Sequence, residues 1–381
     1  MTSTRLSLGL LPLALPLTCP LQAADVNAIT NNGDWMAAAT WSDNAIPTAA
    51  NNYFVPDAIG IDGDARTANQ GSSTRTFAGA ALTIQNGGAL YLDSVHNSSF
   101  PTWTYTIPNL TLQDGASLHV RGGAGTNFAL TNGFTIAPNS TVAIRHSAGN
   151  YDQRLTLGAI TGPSTSTVQI IASQLSTNSG INSKDNYANV ASSSFAGNWF
   201  IDATASVADK NVRLRADAAN ALGTGAVTVG RRAILENNAA NGFDSLSRIE
   251  LQNDTSQVKF GNRDWTAPAA TLAVTDGIAT VGTSQISVAS INQAWGEINM
   301  TVGGTKDGKL ITSGNADFTG GEINLTYLGN PSGKSLDILT YGGTLVTPPV
   351  IDTGDTGRVF ATVNNGSGSN GKVTVSFAGA A

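Results

Sequence analysis

One alternating apolar pattern recurs three times between residues 82 and 144, and it constrains the fold more than any other feature of the sequence. Each copy contains an apolar-Thr-apolar triplet, a two-residue turn signal and a second triplet with apolar ends. The copies read LTI, NG and LYL from Leu82, LTL, DG and LHV from Leu110, and FTI, PN and VAI from Phe134. They begin about 25 residues apart, which is typical of repeats in stacked, solenoid-like proteins.

The alternation within each triplet predicts β-strands, because successive side chains of a strand point to opposite faces. Asn86-Gly87 and Asp114-Gly115 supply the positive φ that a tight corner requires. Such pairs also form two-residue hairpins, which would give an antiparallel sheet protein. The similarity from copy to copy favours parallel stacking. We therefore predict an all-β fold, a right-handed parallel β-helix (solenoid) of roughly a dozen coils with an N-terminal cap and C-terminal antiparallel strands.

The stretch from Ser194 to Asn238 contains the same short apolar pairs, separated by Gly, Asn, Asp or Thr. It resembles the autotransporter-associated β-strand repeat at Phe195, Gly197, Trp199, Ile201, Val212, Leu214, Ala216, the ALGTG run from Ala221 to Gly225, Val227, Val229, Ala233 and Leu235. Proteins with this repeat are secreted β-helices. The resemblance implies a passenger-like bacterial protein of the cell surface with a structural or adhesive role.

The N-terminus has the pattern of an export signal. Arg5 provides a positive start, an apolar run extends from Leu6 to Leu17, and Leu21 to Ala24 resembles a small-residue cleavage site. The apolar run is shorter than the roughly 20 residues that span a bilayer. The only cysteine, Cys19, lies within this signal. We therefore expect an exported chain without disulfides, either extracellular, on the outer cell surface or in the periplasm.

The chain divides into four predicted segments: a signal peptide (1–24), an N-terminal cap and first coil (25–81), the β-helix body (82–315) and C-terminal closing strands (316–381). The cap contains Trp35, Trp41 and Pro47. Two indoles there would cover the bare end of the first coil, although they would also suit sugar stacking. Asn-Gly pairs predict a hairpin between Asn364 and Asn370. We recognise no C-terminal translocator segment, which fits a passenger-like chain.

The predicted body offers one candidate ligand site on its surface. If Leu92, Val120 and Ile144 stack inside the helix, the residues between them form outward columns. One column contains Tyr91, His119 and Ala143, and the next contains Asp93, Arg121 and Arg145. Arg121 beside Arg145 would repel unless an anion lay between them, which suggests an acidic sugar or a sulfate. The alternative is a set of solvated surface charges.

A second candidate site comprises Asp57, Asp62 and Asp64. Calcium prefers several oxygen ligands from a loop bent at glycine, and Asp62-Gly63-Asp64 provides two carboxylates around such a bend. The glutamate that ends an EF-hand loop is missing. A solvent-facing turn is the alternative, and we expect no other cofactor.

The sequence contains no recognisable catalytic set. Its three histidines have no metal-ligand spacing, no G-x-S-x-G motif is present, and the acidic residues do not recur at coil spacing. We therefore predict a protein that is not an enzyme. A polysaccharide lyase or hydrolase, the alternative, would need a groove on one face, lined by three or more acidic or basic residues from adjacent coils. A glycan-binding module would need exposed tryptophans in a row, from among Trp103, Trp265 and Trp295.

Charge and hydropathy limit the partners. The chain has 26 acidic and 20 basic residues, a formal charge of −6 and no basic cluster, which argues against nucleic acid or anionic lipid. No later apolar run is long enough to span a membrane as a helix. We expect glycans, other cell-surface components or further copies of the chain as partners. Ser173 to Ser194 has few apolar residues and predicts a long loop outside the helix body.

Overall fold

The structure, a computed structural model, describes residues 23–63, 73–94, 102–122, 126–148, 153–172, 185–203, 211–330, 332–354, 361–365 and 369–377. Apart from Ala23 and Ala24, the predicted signal peptide lies outside these residues. The described chain consists of strands and turns, with one short 3₁₀ turn at Ala38–Thr40. Within these ranges, no helix has the length and apolar character needed to cross a membrane.

The described residues form 31 strands in one continuous sheet. The first ten are β1 (Asp25–Asn27), β2 (Gly33–Asp34), β3 (Asn52–Val55), β4 (Gly60–Asp62), β5 (Ser73–Thr76), β6 (Ala81–Ile84), β7 (Ala89–Ser94), β8 (Thr102–Thr106), β9 (Leu110–Leu112) and β10 (Ser117–Gly122). The next ten are β11 (Thr126–Leu130), β12 (Phe134–Ile136), β13 (Thr141–Ala148), β14 (Gln153–Thr161), β15 (Thr167–Ala172), β16 (Asp185–Ser193), β17 (Asn198–Asp202), β18 (Asn211–Ala216), β19 (Ala226–Val229) and β20 (Ala233–Asn237). The last are β21 (Arg248–Lys259), β22 (Trp265–Gly282), β23 (Gln285–Gln293), β24 (Glu297–Val302), β25 (Lys309–Thr312), β26 (Ala316–Phe318), β27 (Glu322–Tyr327), β28 (Ser335–Thr344), β29 (Val350–Asp352), β30 (Ala361–Asn365) and β31 (Ser369–Phe377).

The strands wind as a parallel β-solenoid of about 11 turns, which confirms the predicted parallel β-helix. Successive turns add strands to three faces, and strands pair with those of the neighbouring turns. Face 1 includes β3, β6, β9 and β12, and later β25 and β28. Face 2 includes β4, β7, β10, β13, β15, β17 and β19. Face 3 includes β8, β11, β16, β18 and β20, and later β24, β27 and β29.

Tight corners join face 1 to face 2. Gly87, Gly115 and Asn139 occupy these corners with φ values of 72°, 71° and 56°. The other non-glycine residues with positive φ in the described chain are also asparagines, except for Ala58 and Arg232. Asparagine tolerates the left-handed region better than most residues. The Asn-Gly and Asp-Gly pairs after β6 and β9 therefore mark coil corners and not hairpins.

Aliphatic side chains from successive turns stack inside the solenoid. Leu90, Leu118 and Ile144 are in register on face 2, and Ile170 and Ile201 continue the same column. All five side chains are fully buried. Burial of each such side chain contributes about 1.5–3 kcal/mol relative to exposure. The dry axis is therefore the main source of stability, because β-ladder hydrogen bonds contribute less per bond.

The predicted register of the third copy is wrong by two residues. Leu92 pairs with Val120 as predicted, but Val120 pairs with His146, and Ile144 pairs with Leu118. A shift of two residues keeps the same side chains inside, because the side-chain period of a strand is two. The apolar axis is therefore preserved, whereas the outward columns are displaced.

His146 enters the core as a result of this register. Its ring is fully buried, and neither ring nitrogen has a hydrogen-bond partner among the described residues. Burial lowers the pKa of His146 from 6.5 to about 4, because the charged imidazolium would lose its hydration. A buried polar ring without a partner destabilises the fold relative to an aliphatic side chain.

An aromatic cluster covers the N-terminal end of the solenoid. Trp35 and Trp41 are fully buried, and the Trp41 ring packs edge-on against Tyr53 with centroids 4.8 Å apart. Phe77 lies 5.5 Å from Trp35 and 6.0 Å from Trp41. Trp41 Nε1 donates a hydrogen bond of 2.9 Å to the carbonyl of Trp35. This burial favours the cap over the sugar-stacking alternative.

Antiparallel pairing closes face 1 at the C-terminal end. β31 pairs antiparallel with β28 on one side and with β30 on the other, which confirms the predicted closing strands. Parallel pairing meanwhile continues beyond residue 316 through β26, β27 and β29. The last turn is thus closed by a hairpin on one face, while its other two faces end in parallel strands.

Replacing the buried histidine should make the fold more stable and less sensitive to acid. The pKa of His146 is lower in the folded than in the unfolded chain, so the unfolded chain binds more protons between about pH 4 and 6.5. The free energy of unfolding therefore decreases as the pH falls through this window. We expect His146→Leu to raise the free energy of unfolding at pH 7 by about 1–2 kcal/mol and to flatten its decline toward pH 4. Urea titrations across this pH range check both effects, and an unchanged pH slope would contradict the assignment.

Candidate functional site

The outer surface of face 2 gathers ionisable and aromatic side chains from four neighbouring turns. These side chains alternate with the buried leucines and valine of the core. We call them the face 2 cluster, which consists of Asp62 on β4, Tyr91 and Asp93 on β7, His119 and Arg121 on β10, and Arg145 on β13.

Arg121 binds carboxylates from both preceding turns. Its Nε and Nη2 donate hydrogen bonds of 3.0 and 2.8 Å to the two oxygens of Asp93, and Nη2 also reaches Asp62 at 3.4 Å. The side chain of Asp93 is 4% exposed and that of Arg121 is 25% exposed. Bidentate pairs of this type are strong and geometrically specific. The guanidinium of Arg121 is therefore neutralised within the protein.

The same guanidinium stacks on an aromatic ring. Arg121 Cζ lies 3.7 Å from the ring centroid of Tyr91, a cation–π contact. The Tyr91 ring meets His119 edge-on, with centroids 4.9 Å apart. On the preceding turn, a Cβ at Gly60 would collide with the phenol ring, so the glycine makes room for Tyr91. The aromatic rings and the ion pairs hold one another in place.

His119 is neutral at physiological pH. Burial, together with the positive charges of Arg145 and Arg121, lowers the pKa of His119 from 6.5 to about 4, whereas Asp93 opposes the change. His119 Nε2 lies 2.9 Å from the hydroxyl of Ser117 on the same strand. A neutral imidazole can accept a proton, although a base with so low a pKa is weak.

Arg145 lies in register with His119, and not with Arg121 as predicted. Ser147 pairs with Arg121 instead, and Ala143 pairs with Ser117 and not with His119. Both corrections follow from the two-residue shift in register. Within the described part of the chain, the Arg145 side chain forms no hydrogen bond or ion pair. Arg145 is therefore the arginine of the face 2 cluster whose guanidinium is available to bind a ligand.

The arrangement changes the chemistry expected of the surface. The predicted anion site between Arg121 and Arg145 has no support, because Arg121 already binds two carboxylates. With His119 neutral, the two aspartates balance the two arginines. The cluster is thus a compact polar surface without net charge, in which Arg145 is the one charged side chain that forms no ion pair with a described residue.

The predicted calcium site is not assembled among the described residues. Asp62 is buried and its carboxylate contacts Arg121, while Asp57 is exposed on the turn after β3. Asp64, the third predicted ligand, lies outside the described residues. In the described ranges, no group of three or more His, Cys, Asp or Glu side chains is arranged to hold a metal ion.

A second charged cluster on face 3 was missed by the sequence analysis. The ring of Tyr187 on β16 lies 5.5 Å from Arg154, 4.9 Å from Arg213 and 5.5 Å from Arg215. Glu236 on β20 forms ion pairs of 2.8 Å with Arg213 and 3.3 Å with Arg215. This cluster repeats the face 2 design, in which stacked arginines cover a tyrosine and bind a carboxylate of a neighbouring turn.

The position of Tyr187 also corrects the predicted loop between Ser173 and Ser194. Residues 173–184 lie outside the described part, but residues 185–193 form β16, which pairs with β14 and β18. Ala188 and Val190 face the core and are fully buried. Because these side chains are small, the alternation of apolar and polar residues in β16 is too weak to predict a strand. The sequence signal for the cluster was the pair Arg213 and Arg215, which alternate with apolar residues in β18.

A cleft of about 580 Å³ lies near the C-terminal end, between the turn after β24 and strands β28 and β31. Its lysines have acidic neighbours: Lys306 pairs with Asp264, and Lys372 pairs with Asp337. The hydroxyl of Thr374 and the positive charge of Lys372 lower the pKa of Asp337, which burial opposes. The cleft therefore carries little net charge for an ionic ligand.

Comparisons with known proteins do not place the chain in a family: no protein-family model and no curated protein matches it. The function therefore has to be inferred from the fold and from these surfaces.

Removing either arginine of the face 2 cluster should separate structural from surface roles. Arg121→Ala leaves the nearly buried Asp93 unpaired, and we expect it to lower the free energy of unfolding by about 2–3 kcal/mol, somewhat less than for a fully buried pair. Arg145→Ala is the matched control and should stay within about 0.5 kcal/mol of the parent protein. Equilibrium unfolding in urea measures both, and equal effects would contradict the assignment.

Proposed function

We propose that this chain is an exported β-solenoid with a structural or adhesive role in the extracellular space or on the outer cell surface. The resemblance to the autotransporter-associated β-strand repeat supports export and a passenger-like character. The observation that carries the proposal is the arrangement of polar and charged side chains on the outer surface. This surface presents regular polar ladders, and most charged side chains of its two charged clusters form ion pairs within the chain.

The clearest ladder lies on face 1. Thr83, Thr111, Thr135 and Thr161 occupy equivalent positions in four successive turns. The hydroxyls of Thr135 and Thr161 lie 2.9 Å apart. A cleft of about 350 Å³ runs beside this ladder and is lined in part by Asn109, Asn132 and Phe134. Repeated hydroxyl and amide groups suit many weak contacts to glycans or to other copies, and such contacts add up through multivalency.

Adhesion through this ladder can be tested on the full chain. Replacing Thr111, Thr135 and Thr161 with valine removes three hydroxyls at nearly constant size. We expect this triple variant to weaken attachment to bacterial cells or immobilised glycans about tenfold or more, because multivalent binding amplifies small losses. The same replacement at Thr141, Thr167 and Thr228 on face 2 is the control.

Two results would overturn the proposal. One is retention of the full chain in the cytoplasm of the producing cell, measured by fractionation. The other is absence of binding to cells, glycans and further copies in the same attachment assays.

A polysaccharide lyase or hydrolase is the second candidate. It is favoured by the convergence of ionisable side chains from four adjacent turns in the face 2 cluster, which is one part of what such an enzyme would need. In this candidate, His119 is the proton acceptor and Arg145 binds an acidic group of the sugar. The consumption of Arg121 by Asp62 and Asp93 weighs against it.

Incubation with polygalacturonate, alginate and neutral polysaccharides tests the enzyme candidate. New reducing ends report cleavage by either a hydrolase or a lyase. Ultraviolet absorbance of unsaturated uronates reports only cleavage by a lyase. If the candidate is right, His119→Ala should abolish product formation while the thermal unfolding of the protein changes little. No product from the parent protein would remove the candidate.

A further inference from the structure

Trp295 is the most exposed large apolar side chain of the described residues, at 69% exposure, whereas the other five tryptophans are buried. It lies in the corner between β23 on face 2 and β24 on face 3. Because Trp103 and Trp265 are buried, the row of exposed tryptophans considered for a glycan-binding module does not form. Trp295 is therefore the one tryptophan of the described residues that a ligand can reach.

The neighbouring turn keeps this indole open and its corner rigid. Gly320 and Gly321 stack against the corner, and a Cβ at Gly320 would lie 3.6 Å from Trp295 Cδ2 and would collide with the Ala294 carbonyl. Gln293 is buried, and its Nε2 donates hydrogen bonds of 2.9 Å to Gly296 O and 3.2 Å to Glu322 O. The indole is therefore displayed on a preorganised platform, which lowers the entropic cost of binding.

Polar side chains border the platform in two columns at the start of face 3. Glu297 and Glu322 are in register on successive turns, as are Asn299 and Asn324. Asn324 Nδ2 donates a 3.0 Å hydrogen bond to Asn299 Oδ1. Neither glutamate forms an ion pair with any described residue. The carboxylates accept hydrogen bonds and the amide nitrogens donate them, whereas Asn324 Oδ1 is buried.

The charge of this surface selects among ligands. From β22 to β29 the two columns contain acidic residues and no lysine or arginine, and the nearest lysine of the second column, Lys259, is in register with Thr280, two turns from Asn299. An anionic sugar would be repelled by this surface. A neutral pyranose presents a face of C–H groups for an aromatic ring and a rim of hydroxyls for carboxylates and amides.

We propose that Trp295, Glu297 and Glu322, with Asn299 and Asn324, form a binding site for a neutral oligosaccharide. The indole stacks on one sugar ring, and the glutamates and asparagines bind hydroxyls of that ring and its neighbour. Neighbouring turns are about 4.8 Å apart, a distance comparable to one sugar residue, so the chain of sugars runs parallel to the solenoid axis. This inference rests on the proposed adhesive function and names its ligand class.

Tryptophan fluorescence gives a direct test, because one tryptophan of six is exposed. Acrylamide should quench the Trp295 emission, and saturating neutral oligosaccharides (cello-, manno- and malto-oligosaccharides) should protect it and shift it to shorter wavelength. We expect Trp295→Ala to remove the quenchable emission and to weaken binding in calorimetry roughly tenfold or more. Glu297→Gln with Glu322→Gln should also weaken binding, because charge-assisted hydrogen bonds are about twice as strong as neutral ones.

Leu328→Ala is the matched control, since Leu328 is an apolar side chain with 50% exposure beyond the other end of β27. It should leave binding unchanged. The inference fails if Trp295→Ala binds as the parent does, if only sulfated or uronic glycans bind, or if the Trp295 surface proves to contact a second copy of the chain. In each case the adhesive proposal survives if the whole protein still attaches to cells, so the two failures are distinguishable.

Discussion

The hydrogen-bonded ladder between neighbouring turns is the constraint on which the structure depends. It fixes each residue beside its equivalent in the next turn, so that inward positions join into one apolar axis and outward positions join into columns. The same alternation therefore determines which side chains of a strand are buried in the axis and which face outward. The face 2 cluster, the Tyr187 cluster and the threonine ladder are all consequences of this registry, since each combines side chains that are far apart in sequence.

The sequence predicted the parts of the fold that depend on local chemistry. Turn signals such as Asn86-Gly87 required a corner, and the apolar triplets required strands. The register of the third turn was not predictable from them. Two more residues separate Ile136 from Ala143 than separate their partners Leu112 and Ser117, because β13 begins two residues earlier than the segment that pairs with β10. The run from Val142 to His146 alternates in the same way in either register. Hydrogen bonding to neighbouring turns selects between the two, and the hydropathy pattern does not distinguish them.

The candidate sites also combine features that the sequence predicts with features that depend on stacking between turns. The residues of the face 2 cluster were recognised individually, but the joining of Asp62 to Arg121 depends on stacking across turns. Tyr187 lay in a stretch whose small inward residues resemble a loop, and only pairing with β14 and β18 makes it a strand. Trp295 could be named from sequence but not distinguished from the buried Trp103 and Trp265, because exposure depends on whether the side chain lies inside the solenoid or in a corner between two strands.

The pairing of each turn with its immediate neighbours has a consequence for how such a protein can vary over evolution. Duplication or loss of one complete unit of about 25 residues would lengthen or shorten the rod by about 4.8 Å without creating a new kind of contact. The length of the rod can therefore be adjusted in small, nearly equal steps. The aromatic cap and the closing hairpin, which have no equivalents among the other described turns, would be the parts that any such change must leave intact.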